Sequence, residues 1–126
     1  MYDPKYEIVI CCKAIIAHGK AICNMIDFPL EFRASELNWH LKMIDELSTV
    51  LRLLQEQFTE YSFELVNNFL GNSRYIRLKY EASQRTGKVN TDGLKPVIEQ
   101  LEGLQDELIK SFGRCYETSY MDKLND

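Results

Sequence analysis

The residues able to do chemistry in this chain are few, and their spacing limits what they can do. Arg33 and His40 have six residues between them. Such a pair on a helix could hold a scissile phosphate and protonate it. Glu36 and His40 stand at i and i+4, on one helical face, as a metal site built from facing helices requires. A di-metal bundle needs a second, matching set, and His18 has no acidic residue three or four positions away. Glu56, Glu60 and Glu64 form an acidic row at four-residue spacing, and Glu99, Glu102 and Asp106 form another. Only Glu99-Gln-Leu-Glu102 has the spacing of a magnesium-binding carboxylate pair, so both rows read as solvated faces. No Gly-rich phosphate loop, nucleophile elbow or Cys/His dyad occurs. The expectation is a protein without catalytic residues, metal or cofactor.

The four cysteines are Cys11, Cys12, Cys23 and Cys115. Cys11 and Cys12 are neighbours, too close for ordinary disulfide geometry, and no Cys-x-x-Cys occurs. They read as buried free thiols acting as small hydrophobes.

The elements that must position these groups read as helices. The chain has 126 residues, 45% of them hydrophobic, with 3 Pro and 6 Gly. That suits one domain spanning 1–126 and argues against a β-sandwich with frequent turns. Ile8, Cys12, Ile15, Gly19, Ile22 and Ile26 keep helical phase, with Gly19 placed for a close helix approach. The β-branched cluster Ile8-Val9-Ile10 also suits a strand, so 5–26 is left as helix or strand. Pro29 opens the next helix. Its stripe, Leu37, Leu41, Ile44, Leu47, Leu51, Leu54, Phe58, Tyr61 and Leu65, continues to Phe69. Gly71-Asn72-Ser73 is expected to end that helix, with Ser73 capping a shorter one from Arg74 to about Gln84. A loop at 86–93 precedes a last stripe, Leu94, Ile98, Leu101, Leu104, Leu108, Phe112 and Cys115, with Gly103 and Gly113 as joints. The fold class expected is all-α, a four- to five-helix bundle with short connections.

Nineteen acids against 15 bases give a net charge of −4. That balance gives no bulk attraction to nucleic acid or anionic lipid. The longest unbroken apolar run, Ile8 to Cys12, is far short of a membrane span, and Asp3, Glu7 and Lys13 spoil a secretory signal. The expected location is cytoplasmic, without a membrane partner. The distribution of charge is more informative. Residues 74–95 hold Arg74, Arg77, Lys79, Arg85, Lys88 and Lys95 against Glu81 and Asp92, which is +4 and leaves −8 elsewhere. Arg74, Arg77 and Arg85 fall near one line of a helix, a presentation suited to phosphate oxygens.

Tyr75-Ile-Arg-Leu-Lys-Tyr-Glu-Ala-Ser-Gln-Arg85, then Gly87-Lys-Val, then Leu94-Lys-Pro-Val-Ile-Glu-Gln-Leu101 occur in this order, and the chain ends Phe112-Gly-Arg-Cys-Tyr-Glu-Thr-Ser-Tyr-Met-Asp-Lys123 before its last three residues. Residues 73–124 resemble the second half of the small subunit of type III-A CRISPR effector complexes (the Csm small-subunit family). Ser83-Gln84 and Thr118-Ser119 depart from that family's pattern, and the first 70 residues share only helical character with it. The resemblance implies a non-catalytic bundle stacking on copies of itself within a multi-subunit complex. There it would touch the backbones of guide RNA and target RNA. Arg77, Lys79, Arg85 and Arg114 match its basic positions, and the loop charge adds Lys88. Two other readings remain: a helical protein-binding adaptor or inhibitor of phage or immunity type, and a HEPN-like ribonuclease using Arg33 and His40.

Overall fold

A computed structural model describes residues 3–28, 34–58 and 63–113. They form four α-helices and no strand: α1 (Pro4–Asp27), α2 (Ala34–Gln57), α3 (Phe63–Arg85) and α4 (Leu94–Phe112). The all-α bundle with short connections expected from hydrophobic phase is therefore present, with four helices. Pro29, Arg33, Tyr61, Arg114 and Cys115 lie outside the described residues.

The choice between helix and strand at the N-terminus is settled by a cap and a period. Asp3 is the N-cap of α1, its Oδ1 accepting the Lys5 N–H at 3.1 Å. Pro4 follows in the first turn, where its missing N–H is harmless. Ile8, Cys11, Cys12, Ile15, Gly19, Ile22 and Cys23 are all buried, a period no strand could keep. Cys11, Cys12 and Cys23 are free thiols, and burial pushes each of them above the usual cysteine range. The unbroken apolar run understates α1 as a whole. Over 18 residues its mean hydropathy is 1.5, long and apolar enough to cross a membrane by length and composition, yet half of that window is buried within the bundle.

The boundary between α2 and α3 departs from the sequence reading. The expected break at Gly71-Asn72-Ser73 is the middle of one helix, and α2 instead ends at Gln57. Asn72 Nδ2 donates to the Asn68 carbonyl at 2.7 Å and Ser73 Oγ to the Leu70 carbonyl at 2.9 Å. These side chains turn back onto their own helix rather than capping a new one. Gly71 is not left-handed: among the described residues only Gly87 and Gly113 have positive φ. Val66, Phe69, Leu70, Ile76 and Tyr80 then stay on one buried face across the supposed break. A single helix buries both halves of that stripe in one core, which outweighs the weak helix propensity of Gly, Asn and Ser.

The helices alternate in direction around the core. Lys20 meets Glu102 and Asp27 meets Lys95 across α1 and α4, Asp45 meets Arg77 across α2 and α3, and Lys79 lies against Gly93 between α3 and α4. α1 with α2 and α3 with α4 pack most extensively, while α1 with α4 and α2 with α3 meet less. Gly19 permits the close α1–α4 approach, because a Cβ there would overlap Ile98 Cδ1 and touch Ile76 Cδ1 at 3.4 Å. The 86–93 loop is laced by Ser83, whose Oγ accepts the Asn90 N–H at 2.8 Å. It is anchored to α1 by Thr91, which donates to Asp27 Oδ1 at 3.0 Å, beside the Lys95–Asp27 pair at 3.1 Å. Hydrogen bonds from Lys95 and then Thr91 hold the Asp27 carboxyl below its usual range.

Candidate functional site

Two polar rows face each other across the α2–α3 seam. On α2, Asp45, Ser48, Thr49 and Arg52 follow i, i+3, i+4 and i+7, one flank of the helix beside its apolar stripe. On α3, Ser73, Arg74 and Arg77 answer them. Ser48 and Ser73 bring their hydroxyls to 3.5 Å, and Arg77 pairs with Asp45 across the helices and with Glu81 on its own helix. Such short hydroxyl side chains hold the helices together without filling the seam.

What remains is a cleft of about 350 Å³ with Leu41, Ile44 and Leu70 among its lining and Arg52, Arg74 and Arg77 around it. A second recess of about 370 Å³ shares Arg52, Leu70 and Arg74 and extends the cleft past Gly71 toward Gln55 and Asn67. Arg77 is already neutralised by two acids, whereas Arg52 and Arg74 form no ion pair with any described residue. A guanidinium offers a planar fork of N–H donors and keeps its charge at any physiological pH. Two of them on opposite walls could take an anion with several oxygens, such as a phosphodiester, against the Asp45 and Glu56 carboxylates that also line the cleft.

The basic residues singled out by sequence are not gathered into one surface. Arg77 borders the cleft. Arg85 lies on the same line of α3, with its Nε donating to the Glu81 carbonyl at 3.4 Å. Lys79 is on the opposite flank, its methylenes resting against Gly93. Lys88 is exposed in the loop, Lys95 is paired with Asp27, and Arg114 is outside the described residues. Arg52 is the residue sequence reasoning missed. Its signal was the polar row on α2, which a search for net charge passes over because Asp45 cancels it.

His40 lies elsewhere, at the α1–α2 seam. Its Nδ1 stands 2.8 Å from Nδ1 of His18, and Trp39 meets both imidazoles edge-on, with centroids 5.0 and 5.4 Å away. Its ribonuclease partner Arg33 is outside the described residues. No group of three or more metal-ligating side chains occurs among the described residues.

Compared with protein-family models, with curated proteins and with solved structures, the chain matches none.

Proposed function

We propose that this protein is a non-catalytic binding module that takes the phosphate backbone of RNA into the α2–α3 cleft. The role follows the one implied by the resemblance of residues 73–124 to type III CRISPR small subunits: a cytoplasmic subunit on guide RNA and target RNA, stacking on its own copies within a larger complex. The observation that carries the reading is the pair Arg52 and Arg74, facing a water-open cleft from two helices without an acidic partner among the described residues. Contacts of this kind read no bases. They position a backbone and leave sequence to base pairing.

RNA capture and its salt dependence test the reading. Arg52→Glu with Arg74→Glu should weaken capture evenly across RNA sequences. It should also lower the slope of log affinity against log salt by about one for each phosphate the protein no longer neutralises. Reversal of Lys79 and Arg85, which lie outside the cleft, should cost less. Arg77 is a poor probe, because its reversal also sets two carboxylates, Asp45 and Glu81, against a new one. Low salt is needed, since a net charge of −4 opposes RNA at long range. Unchanged capture and slope in the double variant would remove the cleft from the reading.

One observation favours the adaptor reading. Trp39, Val50 and Leu53 are exposed along the outer side of α2, at 53%, 46% and 58%. Exposed apolar residues aligned on one helix suit a protein partner. A complex that assembles without RNA and ignores salt would select that reading instead.

A further inference from the structure

The two histidines of this chain come from different helices, twenty-two residues apart, and meet nitrogen to nitrogen. Their ring centroids are 5.1 Å apart with Nδ1 to Nδ1 at 2.8 Å, which leaves only about one ring radius at each end. The two nitrogens therefore point at each other along the line between the rings. That is the direction of a shared proton. Two lone pairs meant for a metal would converge on a third point instead.

The arrangement has three protonation states with different consequences. With both rings neutral, one Nδ1–H donates and the other Nδ1 accepts, so the rings must be opposite tautomers. With one proton added, an imidazolium donates to a neutral ring, a stronger, charge-assisted bond. With two added, an N–H faces an N–H and two positive charges sit side by side. The third state cannot keep the geometry.

We propose that His18 and His40 form a proton-shared clasp on the α1–α2 seam, closed near neutral pH with Trp39 held edge-on to both rings, and opened by acid. Few other charges face the pair. On α2, Glu36 lies one turn before His40; on α1, the Lys20 ammonium is turned to Glu102 of α4 at 3.4 Å, and Lys13 is on another face. From α3, Arg77 and Glu81 face the Asp45 flank of α2, and from α4 Glu102 is turned to Lys20. Burial first, and His40 second, hold the His18 imidazole below the usual histidine value. The sign follows. The first proton strengthens the clasp, and the second is resisted more by the folded pair than by the unfolded chain, so the clasp's contribution to stability is lost as pH falls through the lower step.

The chain has a single tryptophan, so its emission comes from the residue that packs against both rings. Histidine ring signals and Trp39 fluorescence are followed from pH 8 to 4.5 in the full chain. The expected result is two protonation steps separated by more than about one pH unit, with Trp39 emission changing on the lower step. His18→Gln should leave one step at His40 and an emission that no longer follows the lower one. His40→Gln, made in parallel, provides the same readout at His18 should the first variant fail to fold. Two imidazoles titrating independently at the same pH, or a Trp39 profile unchanged by either substitution, would overturn the proposal.

Discussion

Phe69→Ala is expected to lower folding stability by about 3–5 kcal/mol. The ring heads the fully buried side chains at 1% exposure, and it sits on α3 with Val66 and Ile76 on the same buried face. Truncation removes most of its apolar surface from the core and leaves a cavity that the surrounding helices collapse only in part. For a domain whose whole stability is about 5–15 kcal/mol, that is a large share. Urea denaturation should show an earlier midpoint at unchanged slope. Leu78→Ala, on the same helix but 50% exposed, is the control and should change stability by no more than about 0.5 kcal/mol. Equal losses at the two positions would mean that α3 is rotated from the register described.

Leu51→Ala should cost about 2–5 kcal/mol, and Leu47→Ala clearly less. The two lie one turn apart on a single apolar stripe, and periodicity alone gives them the same weight. The packing separates them: Leu51 is wholly enclosed, while Leu47 is half-buried and only packs against the edge of the core. The same denaturation measurement decides the matter. A destabilisation at Leu51 below about 0.5 kcal/mol would mean that the stripe faces outward, as an assembly surface would.

Those two leucines show what hydrophobic period can and cannot convey. It correctly marks which face of α2 turns inward, because apolar side chains three and four apart must leave water together. It does not mark where one helix stops and the next begins when both keep the same phase. The stripe through Phe58 and Leu65 to Phe69 carries straight across the α2–α3 junction, so the connection is hidden. The polar trio at 71–73 then looks like the only break available. Whether Asn and Ser end a helix depends on where their side chains bond, and both here bond to the preceding turn. The N-terminal cluster of β-branched residues is ambiguous for the opposite reason, since a run of three has no period of its own, and the Asp3 cap with the buried pattern through Cys23 decides it.

The site was legible in half. Arg74 and Arg77 stand out because basic residues are dense after residue 74. Arg52 stands twenty-two residues earlier in a balanced stretch, and only the antiparallel seam brings it opposite Arg74. The meeting of His18 and His40 is likewise a product of helix pairing, since neither has a partner in its own helix that hints at the other.

The unequal seams also give the molecule a mechanical character. α1 with α2 forms one plate and α3 with α4 the other, joined along the lighter α1–α4 and α2–α3 seams. Arg52 rides on one plate and Arg74 on the other, so a shift of one plate against the other changes the gap between the two guanidinium groups. A cleft with walls on separate plates can close on what enters it. Distance labels at Thr49 and Leu78, across the opening, should narrow their distribution when a polyphosphate occupies the cleft. Labels at Lys20 and Glu102, across the α1–α4 seam, should narrow less, and equal narrowing at both pairs would show a rigid block.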